Sequence, residues 1–249
     1  MFGSFACTSS ETAVQLKFAS TWNGAAINCD SAPTSLTDLR FFVSNVKLVD
    51  TAGREHALTM SDNPPWQQQD VALIDLEDGN GACLNGSADM TSTLSGTIES
   101  NAVIQGLRFT VGVPFELNHA NPLLAAAPLD QAAMHWHWRS GYKFMRAGVA
   151  NATDGFWMHL GSTACAGTVQ NITSCAAPNR VDVVLDDFSP LSDVIEVDLS
   201  ALFAKVDFTD GVPGDCSSGP AEDACMAPFS ALALIDGGEK TQSVFRTLQ

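Results

Sequence analysis

Apolar residues recur at every second position through much of this chain, and each run stops at a turn signal. In TAVQLKFASTWNG, Val14, Leu16 and Phe18 alternate with polar neighbours before an Asn-Gly pair. That is the pattern of a half-buried strand entering a turn. LTDLRFFVSNVKLVDTAGREHAL carries Leu39, Phe41, Val43, Val46 and Leu48, and Asp50 to Arg54 supply a hairpin turn. Val71 and Leu73 start a strand that runs into the DLEDGNG loop. TSTLSGTIES reads as a short strand, and VIQGLRFTVGVPFELN as a strand stopped by Pro114. From Phe115 to Asp130, two prolines and the lack of any period predict a loop. Beyond it MHWHWRSGYKFMR, FWMHLGST, RVDVVLDDFS and SDVIEVDLSALF read as strands, Val181, Val183 and Leu185 sharing one face. A short helix is expected in VDLSALFAKV, and a last, faint strand at FSALALI. Short strands, frequent turns and no long helical period predict an all-β fold. We expect one domain over 11–249, a β-sandwich or barrel-like body with long loops.

Charge narrows the partners. There are 28 acidic residues against 12 lysines and arginines, a net charge of −16. Such a field excludes nucleic acid and opposes an anionic membrane surface, but it attracts cations. No apolar stretch reaches the length of a membrane span.

The seven cysteines include no CxxC, which argues against a zinc ribbon or a thioredoxin-like centre. Cys165 with Cys175 and Cys216 with Cys225 are close pairs, and Cys29 with Cys83 follows by elimination, although six cysteines allow many connectivities. Each short loop would contribute roughly 3 kcal/mol if closed without strain. This cysteine usage points to an exported protein in an oxidising compartment. Cys7 is left over: Ser4-Phe5-Ala6-Cys7 resembles a lipoprotein cleavage box. Residues 1–10 are therefore expected to be a signal or lipoprotein remnant, or a disordered start, with a lipid anchor at Cys7.

The chemistry concentrates around residues 134–146. Two of the five histidines, His135 and His137, alternate there with Trp136 and Trp138. His119 lies upstream, His159 downstream, and His56 in GREHAL reads as surface. One such histidine is ordinarily an unremarkable polar residue; four in so short a span of a histidine-poor chain point to a metal. HExxH is absent, and imidazoles beside methionine and aromatic rings suit copper. A blue-copper site would need a free cysteine nearby, and the nearby cysteines are expected to be paired. In an extended segment Met134, Trp136 and Trp138 face one way, His135, His137 and Arg139 the other. A site on the tryptophan face would recruit His119 and His159 instead.

Several blocks, in order, resemble the MbnP-like family, the metallo-mystery pair proteins with a four-cysteine motif. They are LTDLRFFVSNVKL, VALIDLEDGNGAC, GLRFTVGVPFELNHANPL, WHWRSGYKFMR and HLGSTAC, with a less distinct match beyond about residue 180. The resemblance implies a periplasmic, outer-membrane-associated or secreted bacterial copper-binding protein. It also implies a MauG-like dihaem peroxidase-type partner that oxidises a tryptophan to kynurenine. Related proteins hold Cu(I) with two histidines and the kynurenine nitrogen. Carried over, His119 and His159 are the expected ligands, Trp136 the oxidised residue and Trp138 its alternative. His135 and His137 match a looser part of the pattern and are secondary ligands.

Two rivals follow from the same residues. A mononuclear copper oxidase or oxygenase would need three converging imidazoles, and a metal-free cell-surface module would need none. Asp75, Glu77, Asp78 and Asn80 resemble a calcium loop in composition without EF-hand spacing, so an acidic turn is the plainer reading. Tyr142, Lys143 and Arg146 form a basic spot suited to core-rim packing or to docking an electron-transfer partner.

Overall fold

The computed structural model describes residues 11–169, 171–206, 214–219, 222–235 and 241–248. Cys7 and its expected lipid anchor lie outside them. The strands are β1 (Thr12–Trp22), β2 (Ser35–Asp50), β3 (Val71–Asp75), β4 (Thr93–Ile98) and β5 (Ile104–Val111). After helix α1 (Phe115–Asn118) come β6 (His135–His137), β7 (Gly141–Ala150), β8 (Gly155–Gly161), β9 (Thr163–Thr168) and β10 (Asn171–Ala177). The chain closes with β11 (Val181–Leu185), β12 (Val194–Asp198), α2 (Leu199–Leu202), β13 (Gly214–Cys216), α3 (Met226–Ala231) and β14 (Phe245–Leu248). Four shorter strands of two or three residues decorate the sheets.

One sheet runs β14-β12-β1-β4, and the other runs β11-β5-β2-β7-β8-β13. Their inner faces meet in a ring of four phenylalanines. Phe18 of β1 packs edge-on against Phe41 of β2 and Phe109 of β5, at centroid distances of 5.5 and 6.0 Å. Phe245 of β14 closes the ring against the same two residues at 5.6 and 5.7 Å. Each edge-to-face pair adds about 0.5–1.5 kcal/mol beyond its buried area. The expected all-β sandwich is what forms, with Val14, Leu16 and Phe18 on its inner face.

The apolar phase of β2 slips from odd positions (Leu39, Phe41, Val43) to even ones (Val46, Leu48). A register shift between Ser44 and Lys47 and a left-handed Asn45, φ 53°, insert the extra residue. The bulge keeps both halves of the longest strand facing the core.

Three segments differ from expectation. FSALALI lies in and after α3, because Phe229 and Leu232 are buried at helical spacing just beyond Cys225. The loop after Pro114 contains α1 and a 3-10 turn over Pro122–Leu124. The short loop between Cys165 and Cys175 is the β9–β10 hairpin, a sheet of its own. All three expected disulfides form: Cys29–Cys83, Cys165–Cys175 and Cys216–Cys225.

At the end of β3, Asp75 is buried, and burial above all pushes its carboxyl up to about 7. The unfolded chain loses this proton near the ordinary carboxylate value, so the contribution to stability falls as pH rises from there through 7. Asp75→Asn removes the titration. Its melting temperature relative to the parent should therefore rise between about pH 5 and about pH 8. A constant difference over that range would count against a protonated Asp75.

Candidate metal centre

Pro114 stops β5, and the single turn of α1 delivers Asn118 and His119 to the loop between β6 and β7. Asn118 is 2% exposed. Its Oδ1 accepts the Tyr142 backbone N–H at 2.8 Å, and its Nδ2 donates to the Ser140 carbonyl at 3.0 Å. These two bonds settle which end of the amide is oxygen. The second Nδ2 hydrogen is then left for His119 Nε2, 3.1 Å away. Nε2 is therefore an acceptor, and the ring proton sits on Nδ1. That Nδ1 is buried and has no hydrogen-bond partner among the described residues.

Phe115 packs on the His119 ring at a centroid distance of 4.7 Å, and burial lowers the imidazole pKa. On another side, Nε2 lies 3.5 Å from Cys175 Sγ of the β9–β10 disulfide.

His119 lines a cavity of about 520 Å³ together with Asn118, Asn121, Leu123, His135 and Trp138. The size is that of a small-molecule site. No carboxylate among the described residues lines it, in a chain of net charge −16. The His135 ring stands edge-on to Tyr142 at 5.4 Å, and its pKa is lowered by burial first, then by His137 and Lys143. Both cavity imidazoles are thus biased toward the neutral, ligating form.

Strict alternation fails at Trp138. β6 is only three residues long, with a register shift between His135 and His137 against β7. Trp138 falls in the following turn, and it joins His135 and His119 at the cavity instead of Trp136. The Arg139 guanidinium caps its ring at 4.9 Å. His137 is exposed, and its Nδ1 accepts the Arg139 N–H at 3.3 Å.

Trp136 lies on the opposite side of β6, over Gly161, with its ring 6.3 Å from that of His159. The His159 pKa is pushed down to about 4, by burial first and then by Arg146 and Lys143. Arg146 is held by Asp38 at 2.7 Å, and Asp38 is shared with Arg40 at 2.8 Å. Arg146 and Lys143 both donate to the Ala133 carbonyl, so this ion network also anchors the entry to β6. Tyr142 is buried beneath the turn, and its hydroxyl pKa is pushed up to about 12. The expected partners are therefore distributed: Trp136 with His159, and His119 with His135 and Trp138. No hydrogen bond or ring contact joins His119 to His159 among the described residues.

In the DLEDGNG loop the carboxylates face the protein's own donors. Glu77 accepts from Gly79 N and Ser87 N and pairs with Arg40 at 3.5 Å. Asp75 and Asp78 each accept a backbone N–H two residues on. His56, expected at the surface, is half-buried, with Nε2 3.0 Å from Asp50 Oδ2. Reading the sequence missed Asn118, whose signal is an amide beside a candidate ligand, and the packing of Cys165–Cys175 on His119, which had none.

A disulfide-stapled β-sandwich with two desolvated imidazoles in an acid-free cavity defines the class of protein. The MbnP family profile matches residues 11–226, and the chain belongs to that family. Among solved structures it is similar to MbnP from Methylosinus trichosporium, at 26% identity and a TM-score of 0.79, over 96% of this chain and 98% of that one. No curated protein matches the sequence.

Gly141, at φ +78°, lets the Asn118 clamp close: a β-carbon there would sit 2.3 Å from both the Asn118 carbonyl oxygen and Oδ1. Gly141→Ala should cost about 1–3 kcal/mol and free the His119 tautomer. NMR imidazole nitrogen shifts and the melting temperature check this; unchanged values in both would refute the clamp.

Proposed function

We propose that this is an exported copper-binding protein that acquires, stores or delivers Cu(I), and that its cavity histidines His119 and His135 hold the ion. The observation that carries the reading is His119 itself. Its tautomer puts the ring's lone pair at Nε2, where a bound ion would take the place of the Asn118 amide hydrogen. Its ring is desolvated, and no carboxylate among the described residues lines the cavity. Neutral imidazoles in an acid-poor, partly apolar site favour copper over hard cations such as calcium. Trp138, at the same cavity, is the indole whose oxidation to kynurenine would add an aromatic amine beside the two histidines. A MauG-like dihaem partner, with peroxide, supplies the oxidising equivalents.

A second reading keeps the ion at His159 with an oxidised Trp136, and the ring contact between them favours it. Arg146, which helps keep a proton off His159, also disfavours a metal cation there, while Asp38 and Asp215 act the other way and Lys143 acts on His135 as well. Turnover by the protein itself is not part of the proposal. No three histidine nitrogens lie within 4.8 Å of one another among the described residues.

Copper titration against a chromophoric Cu(I) chelator tests the assignment. His119→Ala and His135→Ala should each weaken binding by about tenfold or more, and His159→Ala should leave it nearly unchanged. The reverse order would move the site to Trp136. After treatment with the partner and peroxide, peptide mass mapping should place the kynurenine at Trp138; both indoles intact would sink the maturation step.

A further inference from the structure

We infer that the Cys165–Cys175 disulfide is a redox switch: once reduced, its two thiolates and His119 Nε2 form a sulfur-rich site, alternative to the cavity site, for a soft monovalent cation. The inference rests on His119 as a ligand and goes beyond the oxidised cavity site.

The side chains of His119, Cys165 and Cys175 each offer a ligand atom, and these three atoms lie within 4.8 Å of one another. Nε2 and Cys175 Sγ are 3.5 Å apart. A metal with bonds of about 2.05 Å to nitrogen and about 2.3 Å to sulfur, at tetrahedral or trigonal angles, needs those donors about 3.6–3.8 Å apart. The nitrogen–sulfur spacing is nearly in place, and only the two sulfurs must separate. The hairpin permits this. Among the described residues β9 and β10 pair with each other and with no other strand, and most of their residues are exposed. Opening the bridge leaves both main sheets intact.

The other two disulfides show why this pair is singled out. Each also lies near a third candidate ligand, Glu77 for Cys29–Cys83 and Glu222 for Cys216–Cys225. Those third groups are carboxylates, and Glu77 already serves Gly79 N, Ser87 N and Arg40. All four of those cysteines are 2% exposed or less, whereas Cys165 is 8% exposed and Cys175 is half-buried. Thiol–disulfide exchange needs access to a sulfur, so the hairpin pair is the one within reach.

The step balances with a small dithiol as reductant. One of its thiolates attacks a sulfur of the bridge, forming a mixed disulfide and releasing the other cysteine as a thiolate. The second reductant thiol then resolves the mixed disulfide. The reductant leaves as its own disulfide, two electrons have passed, and Cys165 and Cys175 are thiols. Each thiol gives its proton to solvent when it binds the cation. Thiolates favour Cu(I) over the harder divalent ions. In an oxidising compartment the bridge is the resting form, and a reducing donor turns His119 from the cavity site to the sulfur-rich one.

The test uses the folded protein with increasing dithiothreitol, followed by removal of the reductant without air. Differential alkylation and mass spectrometry identify which bridge opens, Cu(I) affinity is measured against a chromophoric chelator, and X-ray absorption reads the ligands. Cys165–Cys175 should open first, Cu(I) should bind about tenfold or more tightly than to the oxidised protein, and sulfur should be among its ligands. Cys165→Ser/Cys175→Ser should keep the oxidised-state affinity and lose the gain. An earlier opening of another bridge, a copper site without sulfur, or an undiminished gain in the double variant would each overturn the switch. The X-ray absorption of the unmutated protein decides the matter even if the variant folds poorly. Copper binding in the oxidised protein without a gain on reduction counts against the switch alone. A gain on reduction without oxidised-state binding counts against the cavity reading alone.

Discussion

The Asn118 side-chain amide is the constraint on which the site depends. It is buried, and all three of its polar contacts are spoken for by groups from different parts of the chain: Tyr142 N, Ser140 O and His119 Nε2. A buried amide whose orientation is fixed at two points transmits that orientation to the third. Here the third point is an imidazole, so a packing requirement of the β6–β7 turn becomes a choice of tautomer. Gly141 belongs to the same arrangement, since only a residue without a β-carbon lets the turn approach so closely.

A second layer of control is electrostatic. The chain is strongly acidic, yet two carboxylates of the buried network beside β7 are held in ion pairs or turned to backbone amides. Asp38 binds Arg40 and Arg146, and Glu77 binds Arg40 and two N–H groups. Burying these groups together is tolerable because each charge is paired, although the buried Arg146 Nε has no hydrogen-bond partner among the described residues. The result is that His119, His135 and His159 all have lowered pKa values for the same first reason, desolvation. An imidazole kept neutral by burial is ready to ligate without first losing a proton.

What could be read from sequence divides along the same physical line. The strands were legible where one face is buried over five or more residues, as with Val181, Val183 and Leu185 in β11. Even the β2 bulge is written in the change from Phe41 and Val43 to Val46 and Leu48. The disulfides were legible because short spacings leave few sensible pairings. Alternation failed at Trp138 because β6 is too short to impose a period beyond His137. FSALALI misled because seven mostly apolar residues suit a strand as well as a helix, and the tie at Cys225 favours the helix. The grouping of His119 with His135 instead of His159 depends on Asn118, a contact between distant segments that no local pattern encodes.

β6 therefore acts less as a strand than as a partition. Its three residues send Trp136 toward His159 and the cations Arg146 and Lys143, while His135 and the adjoining Trp138 turn to the cavity of His119. Opening either indole would create a nitrogen donor, but the two donors would enter different fields. Beside His159 the donor meets Arg146 and Lys143 together with the carboxylate of Asp38 that holds Arg146. At the cavity it meets two imidazoles, an amide that orients one of them, and the Arg139 guanidinium over the Trp138 ring. The same short strand that breaks the alternation separates Trp136 and His159 from the cavity of His119, His135 and Trp138.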